Sequence, residues 1–255
     1  MSGHAVLTAA TMTSDRRAPK IWFLGGGPGA EDLLTVRAAR ALAQADVVLW
    51  GKNLLSDAVV SEHARRDAEL VPWPPATKAD IEAIYDRAAT DGLHVAWLLW
   101  GDPSLFSSLR EEVQKAGARG LDCEVVPGIS AFNAAAAMLA IELTKAPESS
   151  RPLILTQGRG DPVAIRDLAA HGGTMAIFMI AELAEELQRE LIAGGYEPQA
   201  RCVIAHKITR DEEVMVTCRL DELAATVAAG SLDSHSLVLV GAALEEGGPG
   251  VTAPA

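Results

Sequence analysis

From residue 20 onward, short apolar runs alternate with amphipathic stretches, the strand-helix rhythm of an open, mostly parallel α/β sheet. Residues 20–24 are predicted as a first strand that runs straight into Gly25-Gly26-Gly27-Pro28-Gly29. Leu33, Val36, Ala39, Leu42 and Ala43 fall at helical spacing and predict a helix over 32–44, with a second strand at 47–50. Thr77 and Asp80 have the spacing of a capping box and open a helix that runs to about residue 90. Strand 95–99 ends in Trp100-Gly101-Asp102-Pro103, with a helix expected over 104–116. Strand 123–126 stops at Pro127-Gly128, and Ser130 caps an Ala-rich helix to about residue 139. In an open α/β sheet, ligands bind beyond the carboxyl ends of the strands, so these strand-end loops are candidate site elements.

Between 143 and 152 the composition shifts to Thr144, Pro147, Ser149, Ser150 and Pro152, the pattern of an interdomain linker. Beyond it the pattern predicts strand 153–156, helix 163–171, strand 175–179, helix 182–193, strands 202–206 and 213–218, a helix through Leu223 and Val227, and a last strand over 236–240. Val203-Ile204 and Val214 to Val216 flank Thr209-Arg210-Asp211 as the arms of a hairpin, so antiparallel strands are expected in this half. The expected organisation is a flexible extension over 1–19, an α/β domain over 20–145, a second α/β domain over 146–243 and a flexible tail over 244–255.

The 255 residues carry 22 Lys and Arg against 34 Asp and Glu, a formal net charge of −12. That balance argues against a nucleic-acid partner or a polybasic membrane anchor and leaves room for a local basic pocket. Hydrophobic residues make up 49%, a globular rather than a disordered composition. Cys123, Cys202 and Cys218 are odd in number and far apart, without a CxxC pair, and read as small core residues in a reducing compartment. The six histidines form no HExxH or other metal spacing, so no metal is expected. The chain opens on no signal-peptide pattern and contains no apolar run of 18 residues, so a cytoplasmic protein without membrane contact is expected.

Gly25, Gly27 and Ala30 fit G-x-G-x-x-A between a strand and a helix, the pattern of a dinucleotide site. Against it, Pro28 lacks an N–H where a diphosphate wants donors, Glu31 and Asp32 repel anions, and the second strand ends at Trp50-Gly51-Lys52 without an acidic residue for the ribose. A Walker loop is excluded because Asn53 follows Gly51-Lys52. From this loop alone, a tight turn without ligand and an NADP-dependent oxidoreductase with Lys52 on the 2′-phosphate both stay open.

The loop belongs to an ordered set. Gly25 to Thr35 is followed by Ala45-Asp46-Val47-Val48, then Gly101-Asp102-Pro103-Ser104-Leu105-Phe106, then Val126-Pro127-Gly128-Ile129-Ser130-Ala131. This set closely resembles the tetrapyrrole (corrin/porphyrin) methylase family, the S-adenosylmethionine (SAM)-dependent methyltransferases of cobalamin and sirohaem synthesis, over about residues 20–243. Within the family, Ile141-Glu142-Leu143-Thr144 with Leu153 to Arg159, and Ala205-His206-Lys207 with Asp211-Glu212-Glu213, are most similar to the branch that methylates C11 of precorrin-4 or cobalt-precorrin-4. Three departures fall on the substrate side. The branch has Tyr-Ala-Gly-Ser where this chain has Trp50-Gly51-Lys52-Asn53, a small residue where this chain has Trp100, and a longer loop after Gly158-Arg159.

The resemblance implies two α/β domains, a mostly parallel N-terminal sheet and a mixed C-terminal sheet, with SAM in the cleft between them and a homodimeric assembly. It places Pro28, Trp100, Gly101, Asp102, Leu105, Ser130 and Ala131 of the first domain, and Met179, Ala205, Ser236 and Leu237 of the second, against SAM. Each has a plainer reading: Asp102 and Ser130 as helix caps, Met179 as core. His206 and Lys207 are candidate bases by position, with a structural His206 as the alternative. A polycarboxylate tetrapyrrole requires local cations, for which Arg37, Arg40, Arg110, Lys145, Arg151, Arg159, Lys207 and Arg210 are candidates. Lys52, Arg110 and Arg159, with Trp50, Trp73 and Trp100 as stacking surfaces, are the expected substrate contacts, and Trp73 is expected to be the most accessible indole. Another ring position or a non-tetrapyrrole acceptor is the alternative within the family.

Overall fold

Unbroken apolar strands need cover on both faces, and two five-stranded sheets with helices on either side provide it. The computed structural model describes residues 18–244 apart from 54, 147–148, 151, 159–161 and 181–182, so the expected extension over 1–17 and tail over 245–255 lie outside the described residues. The first half runs β1 (Lys20–Gly25), α1 (Val36–Leu42), β2 (Val47–Gly51), α2 (Asp57–His63), β3 (Glu69–Trp73), α3 (Lys78–Asp91), β4 (Val95–Leu99), α4 (Leu109–Ala118), β5 (Asp122–Val126) and α5 (Ala131–Met138). Its sheet has the order β3-β2-β4-β1-β5 and is parallel throughout. Alternation along the strands sends Trp22, Leu24, Val48 and Leu98 to α1 and α2, and Ile21, Phe23, Leu49 and Trp97 to α3 and α4. Each such fully buried aliphatic or Phe side chain contributes about 1.5–3 kcal/mol.

The second half runs β6 (Lys145–Ala146), β7 (Ser149–Ser150), β8 (Leu153–Gln157), α6 (Pro162–Ala169), β9 (Thr174–Phe178), α7 (Ala184–Ala193), β10 (Arg201–His206), β11 (Val214–Arg219), α8 (Leu223–Ala229) and β12 (Ser236–Gly241). The strands β6 and β7 pair with each other inside the segment expected to be a linker. The larger sheet, β11-β10-β12-β9-β8, is mixed: β8 and β9 are parallel, the other pairs antiparallel, and β10 and β11 form the expected hairpin with Ile204 opposite Val216. Met175, Ile177, Ile204 and Val238 face α6, α7 and α8. Ala176, Val203, Ala205 and Leu239 face the other way, onto Ala134, Ala135 and Ala136 of α5. Thus α5 follows the first sheet in sequence and packs on the second.

Three local expectations change. The helix expected over 32–44 is a 3-10 turn at Glu31–Leu33 and then α1, because extended Thr35 caps α1 by accepting from the Ala38 amide at 3.2 Å. The helix expected from Ser104 begins at Leu109, since the side chains of Asp102, Ser104 and Ser107 draw the intervening backbone into turns. Ser130 stands at the N-cap position of α5, but its hydroxyl makes no capping bond. The elements α2 and β3 carried no legible signal, and Pro72 inside β3 is tolerated because β3 is an edge strand. The Thr77–Asp80 capping box is present, with Asp80 accepting from the Thr77 amide at 2.7 Å.

Candidate functional site

In the parallel sheet every carboxyl end lies on one edge, so the loops after β1, β4 and β5 meet there. They meet backbone to backbone. A Cβ on Gly128 would lie 2.2 Å from the Gly101 carbonyl oxygen and 2.7 Å from the Gly25 Cα, so neither loop can approach the other with a side chain at that point. Three amides of this segment are already used: Gly26 donates to Leu99 O at 2.7 Å, Gly27 to Gly101 O at 3.3 Å, and Ala30 to Thr209 Oγ1 at 3.0 Å. With Pro28 lacking a donor, this loop is a packing element and not a phosphate cradle.

The mixed sheet reaches the same place by a different route. Its antiparallel pairing brings the carboxyl ends of β9 and β10 beside the amino end of β12, with Leu237 opposite both Phe178 and Ala205. The segment after β10 ties the halves together: besides the Thr209–Ala30 bond, Arg210 Nη1 donates to Asn53 O at 2.6 Å. Phe106 from the first half touches Phe178 from the second, ring centroids 5.0 Å apart.

Between the two edges lies a cleft of about 480 Å³, and it is lined by all eleven residues expected beside SAM: Pro28, Trp100, Gly101, Asp102, Leu105, Ser130, Ala131, Met179, Ala205, Ser236 and Leu237. That volume is in the range of small-molecule sites. Asp102 is the anion among them. Burial pushes its carboxyl upward, but bonds from the Ser104 hydroxyl and the amides of Gly128 (2.8 Å) and Ser104 (2.8 Å) outweigh this and hold it below the usual carboxylate range. It is therefore ionised at neutral pH, anchored between two loops, and no helix cap. Met179 lies just past the end of β9 with φ of +57°, and Phe106 and Lys207, also cleft-lining, have φ of +50° and +46°. Left-handed backbone at non-glycine residues costs energy and concentrates at ligand sites.

Several expectations are corrected. His206 does not line the cleft; alternation turns it to the opposite face from Ala205, where it is buried with Nδ1 2.9 Å from Ser236 Oγ. Burial lowers its pKa against the raising effect of Asp233, so it is neutral at pH 7. Lys207 does reach the cleft, with Nζ 3.5 Å from Glu212. Trp50 is buried in the core against α1 and α2, Lys52 is exposed and paired with Asp57 at 3.7 Å, and Arg110 is exposed on α4; none lines the cleft. Arg151 and Arg159 lie outside the described residues. Arg37, Arg40 and Lys145 do not line the cleft, whereas Arg210 does. Lys78 and Lys115 line it too, unforeseen, beside buried Glu112, so cations outnumber the carboxylates of Asp102 and Glu112 in a protein of net charge −12. Trp73 is half-buried and Trp100 is the more accessible indole, the reverse of expectation. Among the described residues no group of three or more His, Cys, Asp or Glu is placed to hold a metal, and no helix is long and apolar enough to cross a membrane.

This geometry has relatives. The chain is 30% identical over 230 residues to the cobalt-precorrin-4 C(11)-methyltransferase of Methanocaldococcus jannaschii, covering 88% of each protein. The X-ray structure of a cobalt precorrin-4 methyltransferase of cobalamin biosynthesis superposes with a TM-score of 0.84 at 28% identity, over 92% of this chain and 99% of the other. The uroporphyrin-III C-methyltransferase of Thermus thermophilus, solved in complex with S-adenosylhomocysteine, gives a TM-score of 0.72 at 25% identity over 89% of this chain and 99% of that one. Residues 20–224 match the family description itself, and with two sheets closing on one cleft, the chain belongs to the tetrapyrrole (corrin/porphyrin) methylases.

Proposed function

We propose that this chain transfers a methyl group from SAM to C11 of precorrin-4, or of its cobalt complex, in cobalamin biosynthesis. The observation that carries the reading is the convergence on one cleft of eleven residues drawn from both halves of the chain. Its relatives named for that reaction support the acceptor. The residues suit SAM: an ionised Asp102 for positive charge, the hydroxyl of Ser130, and apolar walls from Pro28, Leu105, Met179 and Leu237. Bound there, SAM supplies an electrophilic methyl on a sulfonium centre. The chain's own task is to orient and desolvate: apolar walls exclude water, and loops fixed backbone to backbone hold the reacting partners in line. No strong protein nucleophile is needed. Lys207 is the candidate base that faces the cleft, and Lys78, Lys207 and Arg210 supply positive charge for substrate carboxylates.

The working division of the chain is an N-terminal unit over 20–145 and a C-terminal unit over 146–243, in a cytoplasmic homodimer. Exposed Val36 and Val125 are apolar surface that a second copy would cover, and a monomer in sedimentation velocity would remove the dimer from this reading. A second acceptor within the family is favoured by one observation, the tryptophan-lined wall on the substrate side. Incubating precorrin-4 with methyl-labelled SAM and locating the label by NMR decides: label at C11 is expected, label at another carbon selects the second reading, and failure of the protein to bind S-adenosylhomocysteine in calorimetry overturns both.

A further inference from the structure

The sheet order β3-β2-β4 sets three strand ends side by side. Trp73 ends β3 and pairs in register with Gly51, which ends β2; Trp100 immediately follows β4, on the other side of β2. Gly51 is thus the gap between two indoles. They close over it, with ring centroids 5.6 Å apart and planes inclined by 29°. The gap is obligatory: a Cβ on residue 51 would lie 1.8 Å from Trp100 Nε1 and 2.7 Å from its Cε2. Gly51 has no left-handed backbone to justify it, so space for the indole is what it provides.

Trp22, Trp50 and Trp97 are 8%, 6% and 5% exposed, whereas Trp100 is 41% exposed on the cleft wall. An indole that open leaves apolar surface in water until something covers it. Its main chain continues into Gly101, which bonds to Gly27 across the glycine loop, while its side chain turns away, onto Gly51 and Trp73. The backbone and the ring therefore serve different neighbours. Lys78, five residues after the strand end that carries Trp73 and one past the cap of α3, lines the same cleft as a cation.

We infer that Trp100, backed by Trp73 and seated on Gly51, is a specificity-determining platform that stacks on the conjugated ring of the methyl acceptor, with the cleft cations meeting its peripheral carboxylates. The inference deepens the methylation reading above and rests on it. Stacking prefers offset or inclined contact with a π face and discriminates a flat conjugated acceptor from a flexible one.

The test is calorimetry with two probes, S-adenosylhomocysteine and uroporphyrin III, a flat conjugated tetrapyrrole bearing carboxylates. Trp100→Ala and Gly51→Ala are each expected to weaken uroporphyrin III binding by roughly tenfold, Trp100→Phe to recover part of the loss, and S-adenosylhomocysteine affinity to fall by a clearly smaller factor, since the Trp100 ring turns away from the glycine loop that its main chain joins. The Gly51→Ala/Trp100→Ala pair is expected to be no weaker than Trp100→Ala alone, since the methyl acts only by displacing the ring. Unchanged tetrapyrrole affinity in Trp100→Ala, additive losses in the double variant, equal loss of both probes, or a wild-type protein that binds S-adenosylhomocysteine but no tetrapyrrole would each overturn the platform. A wild-type protein that binds tetrapyrrole but no S-adenosylhomocysteine overturns the methyl-donor reading and leaves the platform standing.

Discussion

The two sheets build one cleft by opposite means. The first is parallel, so all its strands deliver their carboxyl ends to the same edge, and its wall is made of tight turns in which glycine backbones touch. The second is mixed, so its wall combines the ends of β9 and β10 with the beginning of β12, and side chains on strands form the surface. Parallel topology concentrates function in loops, while antiparallel pairing spreads it along registers.

The sharpest way to break this contrast is Gly128→Ala. Its Cβ meets backbone atoms on two loops, so a loss of about 3 kcal/mol in a thermal or denaturant melt is expected, together with loss of S-adenosylhomocysteine binding. A variant that melts and binds like the parent shows that backbone contact does not build the first wall. Next in size is Asp102→Ala, which releases the amides of Gly128 and Ser104 and removes the anion: between about 10- and 100-fold weaker S-adenosylhomocysteine binding is expected in calorimetry with the fold retained. Unaltered affinity would refute its role. The smallest effect lies behind the second wall. His206 has its folded-state pKa lowered, chiefly by burial, so the unfolded chain takes up the proton first as pH falls. Its stability contribution is present above pH about 6.5 and is lost as pH falls through the lower folded-state value. His206→Gln should flatten that part of the profile of melting temperature against pH; an identical slope in parent and variant removes the linkage.

The contrast also explains what was legible in the chain. The turns of the first wall use Gly25, Gly128, Pro28 and Asp102, residue types that mark strand-end turns at fixed spacing, so the position of these loops was visible in the chain, while the link of Pro28 and Asp102 to SAM came from the family resemblance. In the second wall Met179, Ala205 and Leu237, which line the cleft, were named through family resemblance alone, because an Ala or Leu on a strand carries no chemical signature of its own. For His206 the sequence left a base and a structural residue both open, and strand alternation, readable only once register is known, selects the structural one. Trp50 failed for the same reason, one residue from the Gly51 that does reach the cleft. Trp73 was misjudged because prolines hid an edge strand. The left-handed backbones at Phe106, Met179 and Lys207 leave no trace in composition.

The helix α5 sets a timetable for chain synthesis. The first sheet is complete once residue 126 has been made, and α5 follows at once, but its alanine face packs on Ala176, Val203, Ala205, Leu237 and Leu239. The last of those partners arrives with β12, roughly a hundred residues later, so a nascent chain carries this apolar helix without its own sheet until β12 has been made.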